Sequence, residues 1–355
     1  MKILFDIGHP ANVHYFRNLI KWAEKEGHQY LLLARDKDVT LQLLKEYQIP
    51  FQNKGIGGEA YVDRLIYTIK SLYKINQSVR DFKPDICISH ASPYLAVVAA
   101  FRGIKHIMFN DTERALLFKQ IVKYCKPEVF SPDSFIGKEN SGFEIFPSYM
   151  ELAYLHPDIF SITESEEIAD KFGKKFTLLR FVANKAAHDM GTEYISDGFK
   201  RDLAQKFREY GNVWITSESP LPDDLKEYKL EVAPSEIHKV IASAMLLVGD
   251  SATMSSEAAM LGVPSVFINQ NKLGYITELE EKYDLVQHFM SDSDGCKKAM
   301  EASVAILDNE NRKTLYQKRR EVMLRDKINL NEYMIQLVQK YTSKSSNEQT
   351  ADDRK

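Results

Sequence analysis

Short apolar runs alternate along this chain with longer segments whose apolar residues recur every three or four positions. The runs have the length of buried strands, and the segments between them have the period of amphipathic helices. This alternation predicts β-α-β units and a parallel sheet. The predicted strands of the first half are KILFDIG, HQYLLLAR, IPFQNKG, DICIS, KHIMFN, EVFSP and FEIFP.

The alternation stops once and then restarts. Residues 155–175 are polar and are predicted to link an N-terminal domain, residues 1–160, to a C-terminal domain, residues 175–327. We expect a docking helix over residues 328–342 and a disordered polar tail over residues 343–355. The predicted strands of the second half are FTLLRFV, GNVWITS, YKLEV, AMLLVGD, PSVFIN and DLVQHF.

Composition narrows the function classes. The chain has 355 residues, more than one hydrophobic core usually holds, which agrees with two domains. Its net charge of −3 gives no electrostatic footprint for nucleic acid, which is therefore not an expected partner. The three cysteines are far apart and predict neither disulfides nor a metal site.

The hydropathy pattern predicts a cytoplasmic protein. The N-terminal segment MKILFDIGHP is too short for a signal peptide, and no apolar stretch approaches the roughly 20 residues that span a bilayer. The helix YVDRLIYTIKSLYK mixes Tyr, Arg and Lys, and such a face could contact the inner surface of a membrane. The commoner alternative, a core stripe with solvated charges, is preferred.

Hydroxyl residues cluster in the segment GDSATMSSEAAMLGVPSV, between two predicted strands. Ligands of parallel sheets bind at the carboxyl ends of strands. If Thr253 is the N-cap of the following helix, Ser256 occupies N3, so Glu257 is not part of a capping box. Glu257 also falls off the face predicted to pack in the core. The positions on that core face are Met254, Ala258 and Leu261.

This corner has the chemistry of a diphosphate site. A helix N-terminus presents unpaired N–H groups and a partial positive charge. Small side chains at residues 251–253 permit close approach, and the Ser251 and Thr253 hydroxyls can donate hydrogen bonds. The Glu257 carboxylate can accept hydrogen bonds from both hydroxyls of a ribose. Neither a P-loop nor a G-x-G-x-x-G motif is present, so the corner predicts a nucleotide site of another kind.

The pattern DS-x-x-x-x-x-E-A-x-x-L-G-x-P between two strands resembles the nucleotide-sugar motif of GT-B-fold enzymes. Those enzymes include the peptidoglycan N-acetylglucosaminyltransferase and the non-hydrolysing UDP-N-acetylglucosamine 2-epimerases. The chain as far as the tail resembles a GT-B-like family, domain of unknown function 354. The resemblance implies an α/β GT-B fold, with two Rossmann-like, doubly wound domains facing across a cleft. The matching segments are GHPANVHYFRNLI, FNDTE, RFVANKAAHDMG, GDSATMSSEAAMLGVP and LEEKYDL.

The resemblance also implies a set of residues that bind the nucleotide sugar. Ser251, Thr253 and Glu257 match positions that contact diphosphate and ribose. Arg180 can reach the donor, although a salt bridge is the alternative for it. A metal is not expected, because the His-Asp pair in RFVANKAAHDMG lacks further ligands. The full set is Gly8, Arg180, His188, Asp189, Asp250, Ser251, Ala252, Thr253, Met254, Glu257 and Asn269.

Two histidines, His9 and His14, bracket the start of the first helix. In inverting GT-B transferases a histidine here often serves as general base, and its pKa near neutrality suits that task. Counting residues does not choose between the two. Packing at the helix start is the alternative for His14.

Polar residues also follow two neighbouring strands of the first domain. The 2-epimerases use an acidic residue at the end of the strand that FNDTER follows, so Glu113 is a candidate acid or base. Asp111 could instead be a helix N-cap. The preceding strand end, SHAS, has no carboxylate, which weakens the epimerase interpretation. The predicted acceptor-binding residues are His90, Asn110 and Asp111.

These residues predict a metal-independent glycosyltransferase that needs no cofactor. Its substrates would be a nucleoside-diphosphate sugar, with UDP the expected nucleotide, and a glycan or lipid-linked acceptor in glycan or envelope polysaccharide synthesis. The alternatives are a UDP-sugar 2-epimerase or hydrolase, and a non-catalytic nucleotide-sugar binding protein. The sequence does not give the oligomeric state.

Overall fold

The chain forms two compact units. The computed structural model describes residues 1–58, 61–111, 116–162, 165–182 and 195–352. Unit 1 comprises Met1–Tyr154 and Ile328–Lys355, and unit 2 comprises Leu155–Lys327. The segment predicted as a linker therefore lies in unit 2, where it contains a helix, Ser165–Phe172.

Unit 1 is built on a parallel sheet of seven strands. The order is β3-β2-β1-β4-β5-β6-β7, so the chain winds in one direction from β1 to β3 and in the other from β4 onward. The strands are β1 (Lys2–Ile7), β2 (Gln29–Asp36), β3 (Gln52–Ile56), β4 (Ile86–His90), β5 (Lys105–Phe109), β6 (Glu128–Pro132) and β7 (Glu144–Phe146). The seven segments predicted to form strands in this half each overlap one of them.

Helices follow the strands of unit 1, as expected for doubly wound topology. His9 caps the first, and Gly103 ends the fourth in a left-handed conformation that glycine adopts without strain. The helices are α1 (Pro10–Lys25), α2 (Thr40–Glu46), α3 (Tyr61–Phe82), α4 (Pro93–Arg102), α5 (Leu116–Cys125) and the short α6 (Leu152–Leu155).

Helix α3 has two apolar faces rather than one. Its core face contains Tyr67, Ser71, Ile75 and Val79. A second stripe, with the spacing of one helical face, lies in solvent, which the preferred interpretation of a core stripe with solvated charges did not foresee. The exposed residues are Val62, Leu65, Ile66, Ile69 and Tyr73. In the described part of the chain, no helix is both long enough and apolar enough to cross a membrane.

Unit 2 has a parallel sheet of five strands in the order β12-β11-β10-β8-β9. The predicted strand YKLEV is wrong: Lys229 makes only an isolated bridge to Ile215, because 3-10 turns occupy the segment before it. The strands are β8 (Phe176–Phe181), β9 (Asn212–Ser217), β10 (Leu246–Gly249), β11 (Ser265–Ile268) and β12 (Val286–Phe289).

The helices of unit 2 cover its sheet. Helix α10 is buried on all sides from Met254 to Met260, which is typical of a helix packed between other elements. The helices are α7 (Ser165–Phe172), α8 (Asp197–Phe207), α9 (Ile237–Ser243), α10 (Ala252–Met260), α11 (Gly274–Glu281), α12 (Ser293–Asp308) and α13 (Arg312–Asp326).

The last helix, α14 (Leu330–Asp352), returns to unit 1. The amide of Ile328 donates to the Pro147 carbonyl at 2.9 Å, and the Ser148 hydroxyl donates to the Ile328 carbonyl at 2.7 Å. Helix α14 continues to Asp352, into residues 343–355, which were predicted to be a disordered tail. The segment contains no Gly or Pro, the two residues that most strongly oppose helix.

Candidate functional site

The corner between β10 and α10 lies at the topological switch point of unit 2. Strands β8 and β10 are neighbours, and the chain winds away from them in opposite directions. Gly249, at the end of β10, is in register with Arg180 of β8. Open α/β sheets bind ligands at such a point, outside the carboxyl ends of the strands. The corner that the sequence predicts as a ligand site therefore lies where sheets of this kind bind their ligands.

Gly249 lets the two strand ends approach closely. A Cβ atom added to Gly249 would lie 1.9 Å from the Arg180 carbonyl oxygen, a distance that no side chain tolerates. The next amide, that of Asp250, donates to the same carbonyl at 3.2 Å. Glycine at this position is thus required by the backbone that shapes the corner.

The N-terminus of α10 retains hydrogen-bonding capacity. Ser251, not Thr253, is the N-cap, and its Oγ accepts from the Met254 amide at 3.4 Å. Among the described residues, none accepts a hydrogen bond from the amides of Ala252 and Thr253. Both residues are half-buried, so an anion can reach these N–H groups and the partial positive charge of the helix.

Met254 contributes differently from the prediction. Its side chain is buried in the core, and its amide is engaged by the Ser251 cap. We therefore exclude its side chain from the surface of the corner and retain only residues 250–253 as its lining.

Asp250 connects the two strand ends beneath the corner. Its Oδ1 accepts from the Val182 amide at 2.8 Å. Burial raises the pKa of this carboxyl to about 6, although the hydrogen bond from Val182 acts in the opposite direction. Proton uptake by Asp250 just below neutrality would remove a negative charge from a site suited to anions.

Arg180 lies on β8 and Asn269 follows β11, and these are the two strands beside β10. Arg180 forms an ion pair with Glu218, and its Nη1 donates to Thr216 Oγ1 at 3.0 Å. The alternative considered for Arg180, a salt bridge, is thus present, with a partner that follows β9. The side-chain amide of Asn269 donates to the Asp250 carbonyl at 3.4 Å. The ends of four strands are therefore joined around the corner.

The helical position of Glu257 had placed it off the core face, but the structure buries its side chain. Its Oε1 lies 2.9 Å from Nε2 of His238, which is also buried. The reason is that α10 has no exposed face beyond its first turn. Sequence reasoning missed His238, which stands in the segment APSEIH without any spacing that links it to Glu257.

The corresponding corner of unit 1 separates the two candidate histidines. His9 is exposed and caps α1, with its Nδ1 accepting from the Ala11 amide at 3.3 Å. His14 is buried, and its ring stacks on Tyr154 at 5.2 Å between centroids. The hydroxyl of Tyr47 lies 3.4 Å from Nδ1 of His14. Solvent therefore reaches His9 far more readily than His14.

Gly8 has little steric role at this corner. An added Cβ would lie 3.8 Å from Asn12 Oδ1, which is ordinary van der Waals contact. Its amide donates to that same Oδ1 at 3.2 Å.

A buried polar network underlies β1 and was not predicted. Asp6 is 1% exposed, forms an ion pair with Lys54 of β3, and accepts from the Ser92 hydroxyl at 2.5 Å. Breaking such a buried pair leaves an uncompensated charge and is strongly destabilising. A carboxylate inside the apolar strand KILFDI was the available signal.

His90 and Asp111 meet at the ends of β4 and β5. His90 Nε2 lies 2.9 Å from Asp111 Oδ1, and Tyr15 packs against the imidazole at 5.3 Å. Asn110 is completely buried, and its backbone amide donates to the Phe130 carbonyl at 2.9 Å. This hydrogen bond joins the end of β5 to β6. The predicted acceptor-binding residues thus include one acid-base pair.

Three predicted residues, Glu113, His188 and Asp189, lie outside the described residues. Within the described ranges, no group of three or more His, Cys, Asp and Glu side chains is arranged to hold a metal ion.

Comparison with known proteins matches residues 1–135 to a family described as "Protein of unknown function (DUF354)". The predicted resemblance to that family is confirmed over this region. The uncharacterized protein MJ0665 of Methanocaldococcus jannaschii is 25% identical over 281 residues, which are 75% of this chain and 81% of that protein.

Solved structures share the fold over nearly the whole chain. A UDP-GlcNAc 2-epimerase from Neisseria meningitidis, bound to UDP-GlcNAc, matches with a TM-score of 0.69 and 14% identity, covering 96% of this chain and 100% of that one. The glycosyltransferase SsfS6 from Streptomyces sp. SF2575 matches with a TM-score of 0.58 and 13% identity, covering 96% and 99%. The predicted fold of two Rossmann-like domains of GT-B type is confirmed.

Proposed function

We propose that this chain is a metal-independent glycosyltransferase that uses a nucleoside-diphosphate sugar. The observation that carries the proposal is the β10–α10 corner. It stands at the switch point of unit 2, and glycine brings its backbone close to β8. The amides of Ala252 and Thr253 are available to phosphate oxygens. Solved structures of the same fold include a protein bound to UDP-GlcNAc, which supports UDP as the nucleotide.

The proposed roles divide between the two units. An acceptor hydroxyl attacks the anomeric carbon of the donor sugar and forms the new glycosidic bond. The bond from that carbon to the β-phosphate oxygen breaks, and the nucleoside diphosphate leaves with the electron pair. The N-terminus of α10 stabilises the charge on the departing diphosphate. Arg180 is already compensated by Glu218, so the helix, rather than Arg180, has this role.

We assign the general base to His9. It is exposed, whereas His14 is buried against Tyr154. The proton of the acceptor hydroxyl moves to Nδ1 of His9, whose present hydrogen bond from Ala11 is long, at 3.3 Å, and is therefore weak. Glu257 is assigned to the ribose because its motif resembles those of nucleotide-sugar sites, and the buried His238 holds its carboxylate in place.

The substitution Ala252→Asp tests the donor site. It places a carboxylate at the first position of α10, where the helix dipole favours it, so folding should be unaffected. Like charges in contact cost several kcal/mol, and we expect UDP to bind at least about 100-fold more weakly. Isothermal titration calorimetry with UDP measures the effect.

Ser293→Asp is the matched control, because Ser293 is the first residue of α12 in the same unit. This variant should bind UDP as the unmodified protein does. Equal UDP affinity in the Ala252→Asp variant would refute the donor site, and selective loss in the control would move the site to α12.

A second candidate function is epimerisation at C2 of a UDP-sugar. The pairing of His90 with Asp111 favours it, because such a pair could accept the C2 proton while a C1–C2 double bond forms and UDP leaves the anomeric carbon with the bonding electrons. UDP would then add back to that carbon as a proton returns to the opposite face of C2. Such a reaction needs no acceptor. Proton NMR of UDP-GlcNAc incubated with the protein alone distinguishes the two: conversion without an acceptor supports the epimerase and contradicts the transferase.

A further inference from the structure

A small cavity in unit 1 lies at the carboxyl ends of its strands. Its volume is about 220 Å³. Arg35 reaches it from the end of β2, and Gly57 and Gly58 follow β3. Arg64 and Tyr67 belong to the first turns of α3, and Tyr94 begins α4. None of these residues forms part of the corners already described.

The cavity contains cationic groups whose charge is not neutralised by the described residues. No side chain in the described ranges forms an ion pair or hydrogen bond with the guanidinium of Arg35 or of Arg64. Two carboxylates are near in sequence or space: Asp36 adjoins Arg35, and Asp63 packs against Gly58. Neither forms an ion pair with an arginine of the cavity. Two arginines therefore line one small cavity, Arg35 with its guanidinium packed on Gly57 and Arg64 at the exposed side.

Two polar groups of the cavity lining are buried without a hydrogen-bond partner among the described residues. These are Nε of Arg35 and the hydroxyl of Tyr67, a residue that is only 6% exposed. Buried polar groups are nearly always hydrogen-bonded, so each such group needs an explanation. A ligand that accepts hydrogen bonds would satisfy both groups, since both are donors.

The surrounding contacts hold this arrangement in place. The guanidinium of Arg35 lies over the Tyr67 ring, 5.0 Å from its centroid, a cation–π contact that fixes its position. A Cβ on Gly57 would lie 1.9 Å from Nη2 of Arg35. A larger residue at position 57 would displace the guanidinium from this position.

We propose that this cavity binds a phosphoryl group. Planar guanidinium donors match the geometry of phosphate oxygens, and two arginines with a phenol hydroxyl match the charge and acceptor number of a phosphomonoester. The volume is below the roughly 300–1,000 Å³ of sites that enclose whole drug-sized ligands, so one phosphoryl group with its ester oxygen is the fitting occupant. We assign it to the acceptor substrate, a role that rests on the proposed function, whereas phosphate binding itself does not.

The phosphoryl group has two sources to distinguish. It could belong to a soluble phosphate ester or to a lipid head group. Helix α3, which supplies Arg64 and Tyr67, also presents the exposed apolar stripe that includes Leu65, Ile66 and Ile69. Exposed Lys70 and Lys74 are on the same helix. An apolar stripe with adjacent cations is typical of a helix that contacts anionic lipid surfaces.

Binding of inorganic phosphate and of glycerol 3-phosphate, measured by calorimetry in the Ala252→Asp background, tests the site without interference from the β10–α10 corner. We expect Arg35→Gln and Arg64→Gln each to weaken binding at least about tenfold, as the loss of a charge-assisted contact requires. Arg80→Gln is the matched control, because Arg80 is also on α3 but pairs with Asp81 outside the cavity. UDP binding to the Arg64→Gln variant of the otherwise unmodified chain should be unchanged.

A second experiment measures how much of the protein sediments together with phosphatidylcholine vesicles, prepared with and without phosphatidic acid. Binding that requires phosphatidic acid and is lost in Arg64→Gln supports the site with a lipid as its source. Binding of soluble phosphate alone supports it with a soluble ester. Unchanged binding in both arginine variants overturns the proposal, as does the absence of binding in both experiments, or acetate binding as tightly as phosphate.

Folding is monitored separately. Arg64 is exposed, so its substitution should leave the melting temperature unchanged even if Arg35→Gln lowers it. Tyr67→Phe keeps the ring under Arg35 and removes only the buried hydroxyl, and it should weaken phosphate binding while the cation–π contact persists.

Discussion

The corners β1–α1 and β10–α10 have the same design but use their helix N-termini differently. Each joins a strand to a helix through two residues, and each places a glycine and an N-cap there or at the strand end. In unit 1, Pro10 has no N–H group, the Ala11 amide donates to the His9 side chain, and the Asn12 amide donates to the His9 carbonyl. In unit 2, the amides of Ala252 and Thr253 have no acceptor among the described residues.

The difference shows that position at a strand end does not by itself make an anion site. The first corner satisfies its amides with its own chain and exposes an imidazole. The second satisfies only the amide of Met254 and leaves two donors at a half-buried surface. The first is suited to proton transfer and the second to binding a diphosphate.

Replacing the base should give the largest effect. His9→Asn retains a good N-cap but removes the titratable nitrogen, so stability should be preserved while the transfer rate falls roughly 10²–10⁴-fold. Single-turnover kinetics with a UDP-sugar and an accepted acceptor would measure it.

His14→Phe is the control for His9, because it keeps an aromatic ring against Tyr154. Activity close to that of the unmodified protein is expected. If His14→Phe is inactive and His9→Asn is active, the assignment of the base must be reversed.

Adding one methyl group to each corner should show how differently the two backbones tolerate a side chain. Gly249→Ala pushes a Cβ into the Arg180 carbonyl and should cost about 1–3 kcal/mol of unfolding free energy, with weaker UDP binding. Gly8→Ala meets only ordinary contact and should change stability by less than about 0.5 kcal/mol. Urea denaturation compares the two. Equal costs would mean that the close approach of β8 and β10 is not a constraint.

The smallest expected effect is a pH dependence. The pKa of Asp250 is raised from an ordinary 3.8 to about 6, so the folded state retains a proton that the unfolded state has lost. This contribution to stability is fully present below pH 3.8 and is lost as pH rises through 6. In the Asp250→Asn variant the side-chain oxygen can still accept from the Val182 amide. The unfolding free energy of this variant should fall by about 1 kcal/mol less than that of the unmodified protein between roughly pH 5 and 7.

A residue of unit 1 should give the opposite dependence of unfolding free energy on pH. Burial lowers the pKa of His106 from 6.5 to about 3, so its contribution is present above pH 6.5 and is lost as pH falls below that value. His106→Gln should reduce the loss of stability in acid, whereas Asp250→Asn should not. Denaturant titrations at several pH values distinguish the two, and slopes of the same sign would contradict this account.

The sequence predicted the sheets well because their signal is local. Apolar runs such as KILFDIG specify buried parallel strands, and turn residues between them set the alternation. The strand YKLEV failed because residues of strand type do not form a strand unless a neighbour pairs with them, and here only Lys229 forms a bridge.

The site residues were harder to place, because their environment depends on distant parts of the chain. Helical periodicity put Glu257 off the core face, but α9 brings His238 against it and buries both. Similarly, nothing in the local pattern around Arg35 indicates that Tyr67 lies beneath its guanidinium. Residue type left His9 and His14 equivalent as candidates for the base, and only the tertiary fold distinguished exposed His9 from buried His14.

The division of unit 1 into two stretches of chain has a consequence for synthesis on the ribosome. Met1–Tyr154 emerges before unit 2, but Ile328–Lys355, which completes the same unit, is made only after unit 2. The hydrogen bonds of Ile328 with Pro147 and Ser148 cannot form until all of Leu155–Lys327 has been translated. Unit 2 is continuous and can fold on emergence, so it can be complete before unit 1, although most of unit 1 is made earlier.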